Sequence, residues 1–132
     1  MSFESVAISE TADIVRARGA ARTLAAQAGF NLADQTRLAT AVSELSRNAL
    51  NYAGGGVCQI TDHSCDRHRR IRVVVEDHGP GIPDITRATE DGYSTGGGLG
   101  AGLPGTKRLM DVFEIESRPG HTRVQVELVR PK

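Results

Sequence analysis

The sequence predicts one α+β domain: a two-layer α/β sandwich in which a mixed, mainly antiparallel sheet carries its helices on one face. Three observations point there. Paired stretches around 57–76 and 112–129 alternate apolar and polar residues across short polar connections, as antiparallel hairpins do. Two long segments between residues 9 and 53 instead repeat their apolar residues at helical spacing. The chain, 132 residues long, has room for one core and shows no linker or repeat, so residues 1–132 read as a single domain.

Taken in order, Phe3 to Ile8 alternates and reads as a half-buried strand. Ser9 and Thr11 offer caps for a helix to about Ala28, with Ile14, Val15, Ala17, Ala21, Leu24, Ala25 and Ala28 on its apolar side. Gly29 ends it. Asn31 or Asp34 caps a second helix, whose stripe Leu38, Val42, Leu45, Ala49, Tyr52 and Ala53 faces the core. Glu44, Arg47, Asn48 and Asn51 share another face of that helix, within about a third of a turn. Gly54-Gly-Gly56 closes it; Val57 to Thr61 and Ile71 to Glu76 are strands around the polar turn Asp62 to Arg69. Asp84 to Thr95 lacks apolar periodicity and reads as a mobile segment. Leu103 to Met110, with Pro104 in its first turn, is a third helix, and Val112 to Ser117 and Thr122 to Val129 form a hairpin through Arg118-Pro-Gly-His121.

Composition excludes several functions. Sixteen acids balance sixteen bases and aromatics are 4%, which gives neither a basic footprint nor stacking platforms for nucleic acid. The cluster Arg67-His-Arg-Arg-Ile-Arg72 reads as a solvated turn and strand edge. No apolar run approaches the ~20 residues of a membrane span, and Met1-Ser-Phe-Glu-Ser lacks signal-peptide character, so the expected location is cytoplasmic. Cys58 and Cys65 are spaced too widely for a usual zinc pair and read as two reduced thiols around a hairpin.

Chemistry concentrates in Gly92-Tyr-Ser-Thr-Gly-Gly-Gly-Leu-Gly-Ala-Gly-Leu-Pro-Gly105, which holds seven of the fifteen glycines. Glycine clusters where backbone must take unusual angles or approach a ligand closely, and a helix start directs free N–H groups at an anion. A phosphate is the ligand this pattern fits. Gly100-Ala-Gly-Leu-Pro-Gly105 spells a dinucleotide fingerprint but follows no apolar strand, and no Gly-Lys-Ser/Thr of a Walker loop occurs. A helix face with Glu44 and Asn48, a strand-ending Asp77 with glycines, and this loop have a nucleotide as their common explanation. Asp can accept from an exocyclic amine, an amide oxygen can join the shell of Mg²⁺, and loop amides can hold phosphates.

In this order the chain resembles the GHKL ATPase superfamily, with its Bergerat fold. Glu44-Leu-Ser-Arg-Asn48-Ala-Leu-Asn-Tyr-Ala53 is similar to its N box. Asp77-His-Gly-Pro-Gly-Ile82 is similar to its first glycine box, and Gly96-Gly-Gly-Leu-Gly-Ala-Gly-Leu-Pro-Gly105 to its second. The resemblance implies ATP and Mg²⁺ as cofactors, with Asn48 holding the metal and Asp77 reading the adenine amino group. Gly79, Gly81 and Ile82 would line the base pocket, and residues 84 to 97 form the lid. Within the second box, Gly96, Gly97, Gly98, Leu99, Gly100, Ala101, Gly102 and Leu103 would surround the phosphates. Lys107 or Arg108 would add a cation. Thr122 matches the late threonine near adenine, although here His121 separates it from Gly120, where the family more often has Gly-Thr adjacent.

The compact length, the Glu-x-x-x-Asn spacing and the run Asp91 to Asp111 most resemble serine/threonine switch kinases of the RsbT type. That resemblance implies a STAS-domain protein as substrate, a phosphatase or cyclase as further target, and Glu44 as the base that takes the hydroxyl proton. Two alternatives stay open: a non-catalytic module with nucleotide as a latch, and a detached histidine-kinase ATP domain. The oligomeric state is not readable from the sequence.

Overall fold

The computed structural model describes residues 2–80 and 102–132. Five strands form one sheet: β1 (Phe3–Ile8), β2 (Gly56–Asp62), β3 (His68–Asp77), β4 (Val112–Arg118) and β5 (His121–Pro131). Their order is β1-β2-β3-β5-β4, and every pairing among the described residues is antiparallel, in keeping with the mainly antiparallel sheet expected. Three of the four neighbouring pairs join strands consecutive in the chain, and β3–β5 skips one strand. Helices α1 (Thr11–Gln27), α2 (Leu32–Ala53) and α3 (Gly102–Leu109) pack on one face.

The apolar stripes explain this layer. Ala17, Ala21, Leu24 and Ala25 of α1, and Leu38, Ala41, Val42, Leu45 and Ala49 of α2, are buried against Cys58, Ile60, Ile71, Val73, Val75, Val126 and Leu128 of the sheet. Burying each of the leucine, isoleucine and valine side chains contributes roughly 1.5–3 kcal/mol before chain entropy is counted, and each alanine less. Val15, expected in the α1 stripe, is 52% exposed. The alanine-rich stripe is narrow, and Val15, one step round from buried Ile14, falls outside it.

Local signals fix the helix ends. Asn31 caps α2 by accepting from the Asp34 amide at 2.8 Å, and Gly54 ends it in the left-handed region at φ 74°. The start of α1 differs from expectation. Neither Ser9 nor Thr11 occupies the cap; Glu10 does, and Asp13 reaches back so that its Oδ2 accepts from the Ser9 and Glu10 amides at 2.9 and 3.1 Å. Arg16 beside it, with these amides, holds the Asp13 carboxyl far below the usual range.

Strands β3 and β5 run longer than the apolar alternation indicated, because their outer face is held by charges. Arg70 and Arg72, read as part of a solvated strand edge, lie on the central strand and both donate to buried Glu127 of β5, Arg72 Nε at 2.7 Å. Burial pushes the Glu127 carboxyl up, but the two guanidinium groups hold it below its ordinary value. A second network crosses the layers: Arg130 donates to Asp34 at 2.9 Å and to Asp111 at 2.9 Å. Both cysteines are free; burial pushes the Cys58 thiol up to about 12, while Cys65 is exposed. No helix among the described residues is long and apolar enough to cross a membrane.

Candidate nucleotide site

A cleft opens at the end of the sheet where α2, β3, β5 and α3 meet. Asn48, Asp77, Leu103 and Thr122 line it, with Leu45, Ala49, Tyr52, Val75, Pro80 and Val124. Four residues singled out from separate stretches of the sequence thus share one wall. Asn48 comes from α2 because the residues flanking it, Leu45 and Ala49, are core positions, which turns its amide toward the end of the sheet. Tyr52, placed in the apolar stripe by spacing, is 45% exposed at the mouth of the cleft.

Asp77 is the last residue of β3 and only 9% exposed. Its Oδ1 accepts from the Gly79 amide at 3.0 Å, which fixes the carboxylate against the turn that follows. Gly79 is there for space: a Cβ would stand 2.5 Å from that of Ala53 and 2.9 Å from its Cα, so any side chain would push the turn away from the end of α2. The Gly79 carbonyl in turn accepts from the Gly120 amide at 2.9 Å, joining this turn to the β4–β5 hairpin.

Thr122 lies opposite Asp77 in the β3–β5 register and its Oγ1 is 2.7 Å from Ser117 Oγ. His121, the residue that separates it from Gly120, belongs to the other face of the sheet, where its Nε2 is 2.9 Å from Glu76 Oε2. The inserted residue therefore leaves the threonine on the cleft side. Gly102 opens α3, Leu103 reaches the cleft, and Thr106, which no spacing argument singled out, is fully buried where α3 faces the core. Lys107 and Arg108 are exposed on α3 and do not line the cleft. Gly81, Ile82, Gly96, Gly97, Gly98, Leu99, Gly100 and Ala101, like the expected lid, lie outside the described residues.

Glu44 is not in the cleft. It sits one turn before Asn48, about 6 Å along the α2 axis, in a groove between α1 and α2 that it shares with Arg18, Arg22 and Arg47. Its side chain is 18% exposed, and Oε1 accepts from Arg47 Nη1 at 2.6 Å. Sequence spacing gave the shared face of Glu44, Arg47 and Asn48 but no sign of the arginines of α1, since packing alone brings the two helices together.

The donor set of the cleft fits an adenine nucleotide. Branched apolar walls from Val75 and Val124 suit a flat ring, a nearly buried carboxylate suits an exocyclic amine, and an amide oxygen at the rim suits a hard cation. Comparisons with known proteins agree. Residues 33–132 match the family model described as histidine kinase-, DNA gyrase B-, and HSP90-like ATPase. The chain is 51% identical over 115 residues to a serine/threonine-protein kinase, RsbT, of Bacillus subtilis (strain 168), covering 86% of each chain. Among solved structures, the catalytic domain of histidine kinase ThkA superposes with a TM-score of 0.58 at 22% identity, over 100% of this chain and 99% of that one. The mycobacterial sensor histidine kinase MprB gives 0.56 at 21% identity, over 99% and 100%. At such identities these two show the shared fold.

Proposed function

The chain belongs to the histidine kinase-, DNA gyrase B-, and HSP90-like ATPase family, and we propose that it acts as an ATP- and Mg²⁺-dependent serine/threonine kinase of a partner-switching pathway, with a STAS-domain protein as substrate. The carrying observation is the 51% identity, over most of both chains, to a protein named as a serine/threonine kinase. Family membership carries ATP binding; the metal, the substrate and the roles of single residues are our reading of the site.

In that reading Asp77 accepts from the adenine amine and Thr122 stands beside it. Asn48 offers its amide oxygen to the metal, and Gly102 and Leu103 bring the start of α3 to the phosphates. ATP supplies the phosphoryl group. Glu44, one turn from Asn48, takes the proton from the attacking hydroxyl, for which a carboxylate within hydrogen-bond reach suffices. A phosphate on the substrate adds roughly −1.5 to −2 charges at the contact surface, which would loosen the complex and free the kinase for a phosphatase- or cyclase-type target.

The test is incubation with labelled ATP and the STAS-domain proteins of the same genome. An acid-stable phosphate on Ser or Thr is expected. An acid-labile product would instead mark a histidine kinase domain acting in trans, and ATP binding without transfer would mark a binding module.

A further inference from the structure

The groove between α1 and α2 holds more charge than the catalytic reading requires. Arg18 and Arg22 from α1 and Arg47 from α2 face it, against the single carboxylate of Glu44. In a chain whose formal charge is zero, that is a local positive surplus. Its floor is also unusual. Gly19 is exposed midway along a 17-residue helix, the place where glycine is the least favourable residue after proline. The backbone does not require it, because Gly19 is not among the glycines at positive φ. Packing does not require it either, since a Cβ there would meet nothing within 4 Å. What a bare backbone offers at that point is close approach by something from outside.

We infer that this groove seats an acidic segment of the protein substrate, with carboxylates on Arg18 and Arg22 and the segment's backbone against Gly19. Guanidinium groups suit carboxylates through their paired N–H donors. The position suits a substrate, because a segment lying in the groove brings its neighbouring hydroxyl to Glu44. A nucleic acid answers to the same charge, but among the described residues no aromatic side chain lines the groove to stack a base. This inference rests on the kinase reading for its substrate, not for its charge chemistry.

The test uses a fluorescently labelled serine peptide rich in aspartate and its asparagine counterpart, titrated by anisotropy at low salt. The proteins are wild type, the double variant Arg18→Ala with Arg22→Ala, and Gly19→Gln, which fills the floor without changing charge. Wild type should prefer the aspartate peptide; the double arginine variant should weaken it on the order of tenfold, the sum expected of two exposed charge pairs, and Gly19→Gln should weaken both peptides alike by occupying the floor. ATP affinity should stay at the wild-type value in both, since neither touches the cleft. Equal binding of the asparagine peptide by wild type, no binding of the aspartate peptide to wild type, or unchanged affinity for the aspartate peptide in either variant overturns the inference. So does single-stranded RNA that binds more tightly than the peptide and is lost with the same substitutions. If no STAS protein accepts phosphate while the peptide result holds, the kinase reading fails and the acidic-segment site stands.

Discussion

The cleft beside Asp77 and the groove beside Glu44 adjoin on one helix, yet they are made of opposite materials. Apolar side chains dominate the cleft, with one nearly buried carboxylate fixed by a backbone amide of its own turn. The groove carries three arginines and a carboxylate already in an ion pair. A shaped, mostly dry wall discriminates by fit and by leaving buried polar groups unpaired when the wrong ligand enters. An exposed charged groove discriminates weakly per contact and responds to salt. The difference suits a division of labour, with a small invariant ligand held on one side of Asn48 and a protein surface met on the other.

Breaking each side separately should give effects of different kind and size. The largest is on chemistry: Glu44→Gln keeps size and polarity but loses basicity, so single-turnover transfer to the partner should fall ~10²- to 10⁴-fold. Asn48→Ala and Asp77→Ala act on binding, and calorimetric titration with Mg-ATP should show each weakened at least tenfold, about 1.4 kcal/mol.

A third effect reaches both sites equally because it lies in the frame that holds them. Burial raises Asp34 and Glu127, yet hydrogen bonds from Arg130 and Arg37, and from Arg72 and Arg70, leave both lowered. A carboxyl that is lowered on folding contributes stability above its unfolded value, about 4, and loses it as pH falls through the folded value. Melting temperature should therefore drop as pH falls from about 4, and less steeply in Arg130→Met. The smallest effect is Gly19→Ala, which should stabilise the fold by about 0.5–1 kcal/mol, since the helical backbone there fits alanine and open space surrounds the new methyl. A melting temperature unchanged or lowered would show that the glycine serves the fold after all.

These regions were unequally legible in the sequence. Asn48, Asp77, Leu103 and Thr122 mark the cleft: Asp77 and Thr122 stand at strand ends that neighbouring glycines reveal, Leu103 at a helix start, and Asn48 on a polar face of α2 that helical spacing reveals. The groove was half legible: Glu44 and Arg47 share a face by helical periodicity, whereas Arg18 and Arg22 reach it only through packing of α1 on α2. The Glu127 network was not legible, because its arginines lie 55 and 57 residues away and meet it through strand register. Asp13 displaced Ser9 and Thr11 at the first helix because a carboxylate three residues into a helix can reach back to the free amides, a choice local propensity does not decide.

Saturating nucleotide distinguishes a binding role from a chemical one across the single turn of α2 that separates Glu44 from Asn48. Transfer rates should be measured for wild type, Asp77→Ala and Glu44→Gln as Mg-ATP is raised well beyond each protein's dissociation constant. Asp77→Ala should climb back toward the wild-type rate while Glu44→Gln stays at least a hundredfold below it. A Glu44→Gln rate that recovers with ATP as that of Asp77→Ala does would place Glu44 in nucleotide binding and rule it out as the base.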